Sequence, residues 1–181
     1  MSTAPKYIPH YTVKDHAMWE GDWELWSGVP IAMTPSSFGA HGSAANRIGT
    51  ALTNAIDQVS CDATVLTEVD WIVSNDTIYR PDISVVCGGP PERHIENTPA
   101  IAVEVLSKST REKDLKFKRT LYAEQGVAWY LVLDPDARTM TALQLNADGV
   151  YSEATFKESL AIEICTGCKL DVDTQRLFPT R

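Results

Sequence analysis

No stretch of this 181-residue chain approaches the roughly 20 consecutive apolar residues that a membrane span requires, so no transmembrane helix is expected. Positive charge is scarce. Sixteen Lys and Arg stand against 24 Asp and Glu, giving a formal net charge of −8. That balance argues against a protein that grips nucleic acid by bulk positive charge; it leaves room for an acidic enzyme with a local basic groove or a metal. Internal repeats, low-complexity segments and interdomain linkers are missing. So are helix-turn-helix and zinc-finger patterns, and no sequence-specific recognition module is expected. Met1 to His10 carry no apolar run, so no secretory leader is expected and a soluble cytoplasmic protein is the default.

Cysteine is sparse, at four residues: Cys61, Cys87, Cys165 and Cys168. Without a leader, a disulfide framework is not expected. Cys165-Thr-Gly-Cys168 has zinc or redox spacing, but Cys61 and Cys87 do not make the second pair that a structural zinc needs. Reduced thiols near a C-terminal turn are the expectation.

What is present is a globular balance, 44% hydrophobic and 22% charged, in a chain of single-domain length. Thr12 and Asp15 fit a capping box for a short helix ended by Gly21. Residues 23–26 and 30–33 read as an N-terminal β-hairpin. Thr34 to Ser37 signals the start of a helix over 39–59, with Ile48, Leu52, Ala55, Ile56 and Val59 on one stripe. Residues 64–73 read as one strand, followed by a turn at 74–76, a return over 77–79 and a strand over 83–86. Residues 100–106 and 128–133 read as strands buried on both faces. Between them lies a helix over 111–125, capped by Ser109 or Thr110 and stopped at Gly126. From 136 onward the pattern is a β meander, with strands over 139–145 and 150–156 and a short edge strand over 160–164. Residues 170–173 read as capping structure.

Two carboxylates interrupt the apolar runs. Asp82 opens Ile-Ser-Val-Val after Pro81, and Glu104 sits inside Ile-Ala-Val-Glu-Val-Leu beside the small Ala102. A buried charge costs several kcal/mol unless it is paired or holds a metal. A divalent cation, and through it a phosphodiester, is the reading these two residues support. A core Arg beside Glu104, a turn role for Asp82 and an exposed Asp114–Lys118 helix pair are the plainer alternatives.

Arg80-Pro-Asp82, Ala102 to Thr110, Asp114 to Lys118 and Leu121 to Pro135 resemble the PD-(D/E)XK nuclease superfamily. They are most similar to its small single-domain, restriction endonuclease-like branch. Glu24 to Gly28 and Thr34 to His41 resemble that branch's N-terminal hairpin and first helix. In the superfamily's E-x-K pattern the lysine follows two residues after the acid, where this chain has Leu106. The branch carries it on the next helix, at the place of Lys118. The resemblance implies an α/β fold: a restriction endonuclease-like mixed central sheet flanked by two helices, with the N-terminal hairpin and C-terminal meander extending it. It implies a nuclease acting on phosphodiesters, DNA first, with Mg²⁺ or Mn²⁺ held by Asp82, Glu104 and the Val105 backbone carbonyl, and with Lys118 offsetting charge or orienting water. Glu24, His41, Glu68 and Asp114 are accessory candidates. A homodimer is expected if both strands of a duplex are cut. An inactive binding or regulatory module on the same scaffold is the alternative.

Overall fold

The computed structural model describes residues 9–33, 39–109 and 111–178. In chain order the elements are α1 (Val13–His16), β1 (Trp23–Trp26), β2 (Val29–Ala32), α2 (Gly39–Gln58), β3 (Ala63–Thr67), β4 (Trp71–Ser74), β5 (Thr77–Tyr79), β6 (Ile83–Cys87) and β7 (Ile101–Val105). A π-helical turn (Lys113–Lys118) runs into α3 (Arg119–Glu124), followed by β8 (Trp129–Asp134), β9 (Thr139–Leu145), β10 (Tyr151–Ala154), β11 (Ser159–Ile164) and β12 (Cys168–Asp173).

The centre is a six-stranded mixed sheet ordered β10-β9-β8-β7-β6-β3. Only β7 and β8 run parallel, joined by the helical crossover; the other pairs are antiparallel. Every residue of β7 and β8 is buried, as their near-continuous apolar runs require. One face packs against the α2 stripe of Ile48, Leu52 and Ile56 and against the β11–β12 hairpin. Val59 lies beyond the end of α2 and is exposed, so it does not extend that stripe. The other face, with Ala102, Tyr130 and Val132, meets Tyr122 of α3 and the aromatic rings of Trp71 and Tyr79. Those two rings belong to a four-stranded sheet, β2-β1-β5-β4, that contains the N-terminal hairpin. The Thr12–Asp15 capping box forms as expected.

Several expectations need correction. The strand expected over 64–73 is two strands in two sheets. The chain breaks at Glu68, whose φ of +52° no strand residue adopts, and Glu68 N–H donates to the Asp82 carbonyl. Residues 160–164 are no edge of the central sheet, and 170–173 is not capping structure: these segments form β11 and β12, a two-stranded sheet of their own. Their strict alternation of buried and exposed residues gives the hairpin one apolar face, which it lays on the core. The cysteines are not reduced thiols. That hairpin brings Cys168 to Cys61 and Cys165 to Cys87, forming two disulfides across sequence separations of 107 and 78. The helix-start signal at 34–37 and the Thr110 cap lie outside the described residues. Among the described residues no helix is long and apolar enough to cross a membrane.

Candidate active site

Asp82 stands immediately before β6, and Glu104 is the fourth residue of β7. The antiparallel register pairs Ile83 with Val103, so one step further sets Asp82 opposite Glu104. The Asp82 carboxylate spans the gap: its Oδ2 accepts the Val105 N–H at 2.7 Å. The same oxygen lies 3.3 Å from His41 Nε2, presented by the first turn of α2.

Glu104 is 3% exposed and is held from the crossover helix. Lys118 Nζ and Tyr122 Oη both donate to its Oε1, each at 2.6 Å. Lys118 is equally buried and also lies 3.1 Å from Glu24 Oε1. Glu24, fully buried on β1, further accepts the Arg80 N–H at 3.0 Å and Lys113 Nζ at 2.7 Å. Arg80 in turn clamps the loop before Asp82, with its guanidinium 2.6 Å from both Asp22 and Asp70. Asp114 is buried as well, and its backbone carbonyl accepts the Tyr130 hydroxyl at 2.9 Å. The Asp114–Lys118 pair is therefore not the exposed helix pair that i, i+4 spacing suggests, and the core partner of Glu104 is a lysine rather than an arginine.

The π turn explains the geometry. Its i→i+5 winding stacks Lys113 above Lys118, and both ammoniums reach Glu24. Lys116 points outward to Glu112. Neither Lys113 nor Tyr122 is among the site candidates that the sequence offers. The signal that could have found Lys113 is its five-residue spacing from Lys118.

The electrostatics follow from burial and crowding. Burial pushes the Glu104 carboxyl well above its ordinary value; Asp82, Asp114 and Glu24 add to this, and Lys118 opposes it without prevailing. Burial disfavours charge on Lys118, but Glu104, Glu24 and Asp114 outweigh it and hold the amine protonated above its usual range. Burial pushes Glu24 upward too, yet Lys118 and Lys113 overcome it and its carboxyl is lowered. The hydrogen bond to Asp82 raises His41 against the opposing effect of burial, with Asp82 and Glu68 charges and the Val105 backbone assisting. Tyr122, raised by burial, stays a neutral phenol able to donate.

Glu104, Glu24 and Asp114 thus surround the buried ammonium of Lys118, Lys113 adds a second ammonium at Glu24, and Asp82 acts on Glu104 from the other side. Among the described residues no hydrogen bond reaches Asp82 Oδ1 or Glu104 Oε2. A hard divalent cation wants one or two such oxygens plus water, and the Val105 backbone is adjacent through its contacts with Asp82 and His41. Among the described residues no three His, Cys, Asp or Glu side chains are grouped so as to hold a metal ion by themselves. Glu68 joins Asp82 and His41 along a cleft between α2 and β3.

Sheet order, crossover helix and paired acids together define a restriction endonuclease-like fold of the PD-(D/E)XK type. A family model, Uma2, described as "Putative restriction endonuclease", matches residues 15–173, and the chain belongs to that family. Among solved structures, the fold is similar to a crystal structure from Anabaena variabilis ATCC 29413 titled as a putative nuclease belonging to DUF820. The TM-score is 0.69 at 16% identity, covering 92% of this chain and 97% of the other. No curated protein matches the sequence.

Proposed function

We propose that the protein is a metal-dependent endonuclease that hydrolyses phosphodiester bonds of nucleic acid, DNA first. The observation that carries this is the pair of uncommitted carboxylate oxygens, on Asp82 and Glu104, beside a buried lysine. Asp82 and Glu104 would hold Mg²⁺ or Mn²⁺, with the Val105 carbonyl as a third oxygen. Such an ion, when bound, would supply Lewis-acid polarisation of the phosphate and a lowered water pKa. Lys118, kept protonated by the carboxylates around it, would offset negative charge at the reacting phosphate. Tyr122 and Lys118 fix the Glu104 carboxylate through one oxygen and leave the other for the ion. Glu24 keeps the lysine from rotating away. His41 and Glu68 flank Asp82 on the cleft side.

Calorimetry with Mn²⁺ tests the reading. Wild type binds, Glu104→Ala does not, and cleavage of a labelled oligonucleotide disappears with the same substitution. No binding in wild type, repeated with an oligonucleotide present, would leave an inactive binding module on a nuclease scaffold. One observation favours that second reading: Glu104 is nearly closed off, and its accessible charge is already met by Lys118. Cutting both strands of a duplex would need two such sites, which a homodimer supplies. Sedimentation as a monomer under cleaving conditions would remove the dimer from the proposal.

A further inference from the structure

The cleft that ends at Asp82 is built unlike a phosphate track. It runs between α2 and the edge strand β3 as an open groove of about 490 Å³, the size of a small-ligand pocket. Among the described residues no lysine or arginine lines it; the ionisable lining groups are Glu68, Asp82 and His41, at one end. A sugar–phosphate chain gains nothing from such walls, and its charge is repelled by the two acids.

The helix side of the cleft is neutral and polar. Asn46, Thr50, Thr53 and Asn54 follow one another along α2 and are exposed to the cleft. The Thr50 and Thr53 hydroxyls donate back to the carbonyls of Asn46 and Gly49, which leaves their oxygens as acceptors. The amides of Asn46 and Asn54 make no hydrogen bond among the described residues, so each offers donors and an acceptor side by side. That is the chemistry that pairs with the edge of a nucleobase.

A second observation points the same way. Gly42 lies within α2, beside His41 at the mouth of the cleft, where glycine weakens a helix. Among the described residues nothing lies within 4 Å of the Cβ that another residue would carry there, so none of them requires a glycine by close packing. Gly49, about two turns further on, differs: a Cβ there would meet Ile83 Cδ1 at 2.9 Å. Gly49 serves helix–sheet packing, and Gly42 keeps the cleft open.

We infer that this cleft receives one unstacked nucleobase, read by the α2 amides and hydroxyls, of the nucleotide whose phosphate lies at Asp82. The substrate is therefore single-stranded nucleic acid or a strand with an extruded base, and on it one site suffices. The inference rests on the nuclease reading for the position of the phosphate.

Fluorescence anisotropy tests it with three probes at fixed Ca²⁺: a short single-stranded oligonucleotide, the same sequence as an intact duplex, and a single strand carrying abasic sites. Wild type binds the first at least tenfold more tightly than either of the others. Gly42→Leu and, separately, Asn46→Ala/Asn54→Ala lose at least tenfold for the first probe and little for the abasic strand. Gly42→Ala retains binding and raises the denaturant midpoint, which controls for folding, and Mn²⁺ calorimetry of Gly42→Leu is unchanged. Equal binding of the abasic strand, equal or tighter binding of the duplex, no binding of any probe, or full affinity in both cleft variants would overturn the inference. Base-dependent binding by a wild type that cleaves nothing would keep the cleft and remove the nuclease reading instead.

Discussion

Glu24 decides how the site responds to acid. It is fully buried, contacts both ammoniums and lowers its own carboxyl pKa below the ordinary 4.5 through them. A carboxyl whose folded pKa is lowered contributes stability above its unfolded value, and that contribution is lost as pH falls through the folded value. Glu24→Gln should therefore cost about 3 kcal/mol at pH 7, because it leaves buried ammonium charge less compensated. The gap between wild type and variant should narrow below pH 4.5 as wild-type Glu24 itself takes up a proton. Urea titrations of both proteins at pH 7, 5, 4 and 3 measure it; a gap that stays constant down to pH 3 would mean Glu24 is not the titrating partner. The burial of Glu104 was legible in the sequence because a lone charge inside an apolar strand must find a partner, here Lys118. Glu24 was weaker, since a four-residue strand with tryptophans at both ends does not reveal that both faces are covered. Lys118 became visible only through resemblance: nothing in its own segment distinguishes a buried lysine from an exposed one.

At the scale of elements, legibility followed locality. The capping box, the α2 span, β7 and β8 are dictated by side-chain period over a few residues, and they stand where the pattern puts them. The π turn does not, because a helix that pairs i with i+5 over six residues leaves no periodic trace. The β3–β4 break also escaped, since alternation continues through Glu68 while the backbone does not. The disulfides could not be read at all. Their partners lie far apart in sequence, and only the seating of the β11–β12 turn on the ends of α2 and β6 brings them together. This carries a prediction for that hairpin. Closing a loop of 107 residues restricts the unfolded chain strongly, so Cys61→Ser/Cys168→Ser should lower stability by about 4 kcal/mol. Chemical denaturation of oxidised wild type and the double variant measures it. A thiol assay on unfolded wild type should find free cysteine only after reduction; four free thiols beforehand would contradict both pairings.

Over the whole molecule, the scarcity of positive charge becomes a statement about binding. The net charge is −8, and several cations around the site are already committed. Arg80 serves Asp22 and Asp70, Lys113 and Lys118 serve Glu24, Arg111 serves Asp134, and Arg47 donates to the Arg176 carbonyl. Proteins that hold nucleic acid by neutralising six to ten phosphates lose about 10³–10⁵ in affinity between 50 and 200 mM salt. On the proposed reading, the attraction to the backbone would fall to a divalent cation and few side chains, and the cleft beside α2 would supply neutral contacts. Binding of a single-stranded oligonucleotide at fixed Ca²⁺ should therefore give a slope of log K against log salt no steeper than about −1.5, a loss of less than about tenfold over the same range. Anisotropy titrations at 50, 100 and 200 mM KCl measure the slope. A slope of about −5 or steeper would mean that a cationic track elsewhere on the surface carries the affinity, and the neutral cleft would then be a secondary contact rather than the place where substrate is chosen.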